Sequence, residues 1–91
     1  MAADFQSDAW KAQRGSFAID NPRQRMLRGA EALLQPGMTE DQVLALLGEP
    51  ESRENDRWRY GVGALGFGVD LSFLIVEFSD GRLKSHLIEQ G

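Results

Sequence analysis

Apolar residues recur at helical spacing in the segment 22–34 of the chain. They are Met26, Leu27, Ala30, Leu33 and Leu34. This three- and four-residue spacing is typical of a helix that buries one face. Asn21 is the predicted N-cap and Pro22 the first helical residue, and the segment 35–37 (Gln-Pro-Gly) ends the helix.

A second helix is predicted over about 40–47 because both of its ends are marked. Thr39 can cap the N-terminus, and Gln42, three residues later, completes a capping box. Gly48 can take the positive φ that ends a helix, and Pro50 prevents the helix from resuming. A helix this short is not stable alone, so packing must stabilise it.

Three strands are predicted after these helices. Polar residues fill the connection 51–56, and apolar and polar residues then alternate over 57–62. A strongly apolar run over 71–79 is followed by Asp80-Gly81, which favours a two-residue type I′ hairpin turn, and by a return strand over 82 to about 90. The predicted fold class is α+β, with two helices packed on one face of a three-stranded antiparallel meander in two layers (ααβββ).

The hairpin turn predicts which residues share a face, because it sets Ser79 opposite Arg82. Uninterrupted pairing from that point also places Glu77 opposite Lys84 on the outer side. The helices are then expected to cover Leu74, Val76, Phe78, Leu83 and Leu87. The other face is expected to carry Phe73, Ile75, His86 and Ile88, and to be polar near the turn and apolar further away.

Residues 1–21 are predicted to form an N-terminal arm, and residues 22–91 a single α+β domain. The arm has no clean periodicity but contains four large apolar residues, which are Phe5, Trp10, Phe17 and Ile19. Disordered segments are usually poor in aromatic residues, so we expect an extended, partly ordered arm whose aromatics dock onto the domain. The alternative is a disordered tail.

Composition excludes several classes of function. The chain has 91 residues, a net charge of −4 and no cysteine. Nucleic-acid binding needs clustered basic residues, and the short cluster of Arg23, Arg25 and Arg28 is interpreted as the solvated face of a helix. No thiolate metal site, disulfide framework or transmembrane segment is expected. The polar, acidic start carries no signal peptide, which indicates either a cytoplasmic protein or the trimmed mature part of an exported one.

No pattern of catalytic residues is visible, so we expect no enzyme, no cofactor and no metal. Gly61, Gly63 and Gly66 fit the dinucleotide-binding string, but a strand rather than a helix follows them. His86 stands alone, without grouped metal ligands, and is interpreted as a surface residue beside Ile75. The acidic stretch 49–56 is interpreted as a solvated loop.

The glycine-rich connection 63–70 is the best candidate for a binding surface. Its apolar residues alternate with glycines, which suits an adaptable lip that contacts a partner. The predicted partner-binding residues join this loop to the outer sheet face: Leu65, Phe67, Val69, Phe73, Ile75 and Ile88. Three alternatives compete for these residues: the loop folds back on its own sheet, the arm covers them, or a homodimer forms there.

A longer pattern resembles the SmpA/OmlA family of small bacterial envelope lipoproteins. It consists of Gly37-Met38-Thr39, Val43, Leu47-Gly48-Glu49-Pro50, Trp58-x-Tyr60 and an apolar strand ending in residues 77–83 (Glu-Phe-Ser-Asp-Gly-Arg-Leu). The resemblance implies two helices on a three-stranded antiparallel sheet. It also implies a non-enzymatic binding or scaffold module of the cell envelope, acting in outer-membrane protein assembly.

A protein partner is expected from this resemblance, with a lipid surface as an alternative. The expected location is the periplasm or the outer membrane, if a signal peptide was trimmed. The alternative interpretation is a cytoplasmic or inhibitor-like interaction domain. Members of this family carry a lipid on a cysteine at the start of the mature protein, whereas this sequence contains no cysteine.

Overall fold

A computed structural model describes residues 5–16, 21–64 and 71–90, and within these it contains three helices and four strands. The helices are α1 (Ser7–Lys11), α2 (Arg23–Leu33) and α3 (Glu40–Leu47). The strands are β1 (Ser52–Glu54), β2 (Arg57–Ala64), β3 (Leu71–Ser79) and β4 (Arg82–Gln90). The predicted α+β class is confirmed, but α1 and β1 are elements that the sequence prediction did not contain.

The four strands form one antiparallel sheet in the order β1-β2-β3-β4. The strand β1 pairs with β2 through a tight turn at Asn55, which has a φ of 57°. All three residues of β1 are exposed, so the segment lacks the alternation that reveals a strand. For that reason the sequence pattern predicts a loop over 51–56.

The helix ends follow the predicted capping signals. The side chain of Asn21 accepts a hydrogen bond of 2.8 Å from the backbone N–H of Arg23. Thr39 and Gln42 form the complete capping box, with a Gln42 N–H to Thr39 Oγ1 distance of 3.1 Å and a Thr39 N–H to Gln42 Oε1 distance of 2.8 Å. The helix α3 ends at Gly48, whose φ of 76° is one that glycine adopts without strain.

The hydrophobic core lies between the helices and one face of the sheet, which we call the helix face. Residues from α2, α3 and the three long strands contribute to it. They include Met26, Leu27, Ala30, Val43, Leu47, Trp58, Tyr60, Val62, Leu74, Val76, Phe78 and Leu83. The placement predicted for Leu74, Val76, Phe78 and Leu83 is therefore confirmed.

The arm contributes one of the two tryptophans of this core. Trp10 of α1 is completely buried, and its ring centroid lies 6.3 Å from that of Tyr60. Phe5 is half-buried and packs against the same cluster, 5.8 Å from Trp10 between ring centroids. Docking of these two aromatics is confirmed, although the arm forms a short helix around Trp10 rather than an extended segment. Phe17 and Ile19 lie outside the described residues.

The β3–β4 hairpin begins in the predicted register. Asp80 and Gly81 both have positive φ values, of 53° and 77°, as a type I′ turn requires. Ser79 faces Arg82, and Phe78 faces Leu83. The register then shifts, because Glu77 faces Ser85 and leaves Lys84 as the extra residue of a β-bulge.

The bulge reverses the faces predicted for the rest of β4. Ile75 pairs with Leu87, and Leu74 pairs with Ile88. Leu87 is therefore on the outer side of the sheet with 39% of its surface exposed, whereas Ile88 packs against the core. The placements predicted for Leu87 and Ile88 are both wrong, because a one-residue shift exchanges the two faces of a strand.

Candidate functional site

The candidate site is the outer face of the sheet, which is the side opposite the helices. We define it by the side chains of Arg57, Arg59, Phe73, Ile75, Glu77, Leu87 and Glu89, which the strand register places on this side. The strand β2 contributes two arginines to this face, whereas β3 and β4 each contribute both charged and apolar side chains. The face is mixed rather than a continuous apolar patch.

Two arginines and two glutamates form an ion-pair network on the outer face. Glu89 accepts hydrogen bonds from Arg59 at 2.6 Å and from Arg57 at 3.3 Å, and Arg57 also lies 3.4 Å from Glu77. All four side chains are between 31% and 41% exposed. Water therefore screens these pairs, and each contributes less than about 1 kcal/mol to stability. Their main effect is to fix the positions of charge on this face.

The apolar residues of the outer face differ in how deeply they are buried. Ile75 is completely buried, with Arg59 and Leu87 directly opposite it on the neighbouring strands. The guanidinium of Arg59 lies 4.6 Å from the ring centroid of Phe73, in cation–π geometry. Phe73 is half-buried and Leu87 is exposed, so these two residues can meet a partner while Ile75 supports them from within.

The six predicted partner-binding residues have different outcomes. Leu65, Phe67 and Val69 lie outside the described residues. Phe73 and Ile75 are on the outer face as predicted, whereas Ile88 is on the helix face. Leu87 is the outer-face residue that the prediction missed, because no residue pattern at Lys84 announced the bulge.

His86 also changes side because of the bulge. It pairs with Val76, and its Nδ1 lies 3.4 Å from a carboxylate oxygen of Glu31 on α2. The interpretation of His86 as a neighbour of Ile75 is therefore wrong. Its ring bridges the edge of the sheet and the helix layer.

A second cluster of charged groups lies inside the protein around Arg23. The Arg23 side chain is completely buried and donates hydrogen bonds of 2.9 Å to the backbone carbonyls of Trp10 and Gly61. It also donates to both carboxylate oxygens of Glu51 at 3.2 Å. Glu51 in turn accepts from the backbone N–H groups of Gly61 at 3.0 Å and Gly15 at 2.8 Å. This cluster joins the arm, α2 and β2.

Burial shapes the electrostatics of the Arg23 cluster. Desolvation lowers the pKa of the Arg23 guanidinium, and the charge of Glu51 opposes this shift. Burial raises the pKa of the neighbouring Tyr60, whose hydroxyl donates a 2.8 Å hydrogen bond to the carbonyl of Gly48. The cluster is enclosed, so we assign it to the stability of the fold and not to binding.

The interpretation of Arg23 as a solvated residue is wrong, as is that of Glu51 as part of a solvated loop. No sequence signal marks either residue, since Arg25 stands in the same first turn of α2 as Arg23 and is exposed.

The remaining motifs give no further site in the part of the chain that the structure describes. Gly61 and Gly63 lie within β2 rather than at a strand-to-helix turn, and Gly66 is outside the described residues. Residues 5–16, 21–64 and 71–90 contain no group of three side chains that could hold a metal ion. None of the helices in these ranges is long and apolar enough to cross a membrane.

The fold and its outer face define a small α+β module with helices on one face of an antiparallel sheet. This is the class that the sequence resembles. No protein-family model matches the chain.

A sequence comparison with known proteins gives a more specific similarity. The chain is 46% identical, over 59 residues, to "Outer membrane protein assembly factor BamE" of Neisseria meningitidis serogroup B (strain ATCC BAA-335 / MC58). The match covers 59% of this chain and 47% of the relative, so the chain spans about half the length of that relative. The resemblance to the SmpA/OmlA, BamE-like group is confirmed by this match.

Proposed function

We propose that this protein is a non-enzymatic binding module of the bacterial cell envelope that acts in outer-membrane protein assembly. The observation that carries the proposal is the 46% identity to a protein named as an outer-membrane protein assembly factor. An assembly factor acts through contacts with other proteins. A single small domain with an exposed, mixed surface is suited to that role.

The outer face is the proposed contact surface. Phe73 and Leu87 offer apolar area, and the ion pairs around Glu89 offer fixed charges beside it. Aromatic and arginine side chains carry much of the binding energy in protein interfaces, and Arg59 stacked on Phe73 combines the two. Leu65, Phe67 and Val69 are proposed to extend this surface.

The proposed location is the periplasm or the periplasmic surface of the outer membrane. The name of the relative supports this location over the cytoplasmic alternative. A cytoplasmic or inhibitor-like interaction domain is the competing hypothesis, and the experiment below separates the two.

In-cell photocross-linking tests the contact surface. A photoreactive amino acid replaces Leu87 on the outer face or, as a matched control, Leu33 on α2, which is 46% exposed and lies away from that face. We expect the probe at Leu87, and not that at Leu33, to cross-link to proteins of the outer-membrane assembly machinery, identified by mass spectrometry. Phe73→Ser should reduce the cross-linking.

Two results would contradict the proposal. One is cross-linking to cytoplasmic proteins alone, which supports the cytoplasmic alternative. The other is equal cross-linking from Leu87 and Leu33, which shows that the outer face has no special role.

A further inference from the structure

The strand β4 forms one edge of the sheet, and the segment 37–38 covers its first part. The backbone N–H of Leu83 donates to the carbonyl of Met38 at 2.7 Å, and the carbonyl of Leu83 accepts from Gly37 at 2.9 Å. Beyond Leu83, we find no hydrogen bond to the outward backbone groups of β4 within residues 5–16, 21–64 and 71–90. In the described part of the chain, the open edge therefore runs from Lys84 to Gln90.

The register shows which backbone groups are free on this edge. The Leu83 groups point away from β3, so Phe78 and Leu83 form a non-hydrogen-bonded pair. Hydrogen-bonded and non-hydrogen-bonded pairs alternate along an antiparallel ladder. Lys84 is the extra residue of the bulge, and the alternation resumes after it. The backbone N–H and C=O groups of His86 and Ile88 therefore point outward, whereas those of Leu87 bond to β3.

The two halves of this edge differ in their protection against pairing. The first half carries the bulge and the basic residues Arg82 and Lys84, which are devices that natural sheets use against edge-to-edge association. The second half carries only one charged residue, Glu89, and that side chain already binds Arg57 and Arg59. The exposed side chain of Leu87 lies at its centre.

We propose that the open edge of β4 pairs with β4 of a second copy of this chain, antiparallel and with a two-fold axis at Leu87. Leu87 then lies opposite Leu87 of the second copy on the outer side. His86 of each copy exchanges two backbone hydrogen bonds with Ile88 of the other. The two sheets join into one, and the two exposed leucines cover each other.

Charge and side-chain complementarity select this occupant and this register. Pairing about Leu87 places Ser85 opposite Glu89 and Lys84 opposite Gln90, so no like charges face each other. If the two-fold axis passed through His86 instead, the two His86 side chains would lie side by side and Leu83 would lie opposite Glu89. If it passed through Ile88, Leu87 would lie opposite Glu89. The register about Leu87 is the one that pairs apolar with apolar.

Disulfide trapping tests this arrangement directly, because the chain contains no cysteine. In the proposed pairing Leu87 forms a non-hydrogen-bonded pair with itself, with Cα atoms about 4.5 Å apart, which a disulfide can span. We expect full-length Leu87→Cys to form a disulfide-linked dimer under mild oxidation. Leu33→Cys, at a somewhat more exposed position on α2, should stay largely monomeric.

Hydrogen exchange and sedimentation supply measurements that do not depend on a cysteine. Raising the concentration of the unmodified chain should protect the amides of His86 and Ile88 and leave that of Leu87 unchanged. Leu87→Lys should abolish the dimer in sedimentation while its thermal unfolding shows that it is folded.

Several outcomes would overturn the proposal. They are a chain that remains monomeric at all concentrations, equal cross-linking from Leu87→Cys and Leu33→Cys, or a dimer that persists in Leu87→Lys. A monomer in which an added alternating Val-Thr peptide protects His86 and Ile88 would assign the edge to extended peptides instead. Both proposals use Leu87, so their tests separate them. A probe at Leu87 that cross-links only to a second copy supports the dimer and contradicts the proposed contact surface, whereas cross-linking to the assembly machinery by a chain that is monomeric in sedimentation does the reverse.

Discussion

The guanidinium of Arg23 and the carboxylate of Glu51 form a 3.2 Å ion pair in which the Arg23 side chain is completely buried and that of Glu51 is 11% exposed. Through this pair, the start of α2 is held against β2 and the arm. A buried pair is costly to break on one side only, because the remaining charge loses its partner in a medium that solvates it poorly.

We therefore expect Arg23→Met or Glu51→Leu alone to lower the free energy of unfolding by about 3–5 kcal/mol. The double variant should lose less than the sum, because neither charge is left alone. Urea unfolding of the unmodified protein, the two single variants and the double variant measures these free energies. Arg57→Met, which removes a half-exposed arginine of the outer face, is the control and should cost less than about 1 kcal/mol. Equal losses from Arg23→Met and Arg57→Met would contradict the structural role given to the pair.

The second prediction concerns the register of β4. Ile88 packs against the core, whereas Leu87 is on the outer side. Ile88→Ala should therefore destabilise the protein by about 2 kcal/mol, and Leu87→Ala by less than about 1 kcal/mol. Thermal unfolding of both variants, measured at low concentration to avoid association, gives the comparison. If Leu87→Ala were the more damaging, the bulge at Lys84 would be wrong and the uninterrupted register correct.

The features that the sequence predicted well are those encoded by a few neighbouring residues. Asn21 and Thr39 cap the helices as expected, and Asp80-Gly81 makes the expected turn. Their geometry is local, so short patterns suffice to identify them. The two-layer arrangement of the long elements was predicted from hydrophobic periodicity, which is also a pattern among residues close together in the sequence.

The features that were missed depend on contacts between distant segments. The bulge at Lys84 has no residue signature, yet it decides the side of every later residue of β4. The short helix α1 forms around Trp10, which is stabilised by contact with Arg23 and Tyr60 rather than by helical periodicity. As a result, the side of the sheet was predicted correctly for Phe73 and Ile75 on β3 and incorrectly for Leu87 and Ile88 on β4.

The third prediction concerns the arm. Trp10 is completely buried, and its removal leaves a large cavity beside Tyr60. We expect Trp10→Ala to cost about 3–5 kcal/mol and deletion of residues 1–20 to lower the melting temperature by at least as much as this variant. Phe5→Ala, which removes a half-buried ring, should cost less. Calorimetry measures the transitions, and an unchanged melting temperature after deletion would show that the arm does not stabilise the domain.

The fourth prediction addresses the loop residues of the proposed surface. If Leu65 and Phe67 form a binding lip, replacing both with Ser should change the free energy of unfolding by less than about 1 kcal/mol and weaken partner capture. Denaturant unfolding and the in-cell cross-linking assay report the two effects separately. A loss of more than about 2 kcal/mol would place these residues in the core and remove them from the binding surface.

The central claim is a role in outer-membrane protein assembly. It is tested most directly by disrupting the gene in the organism that encodes it and measuring the amount of folded β-barrel protein in the outer membrane by heat-modifiability on gels. The account predicts a decrease that the unmodified gene restores and that a Phe73→Ser/Leu87→Ser variant, produced at the same level, restores less well. Unchanged amounts of folded β-barrel protein after disruption would contradict it.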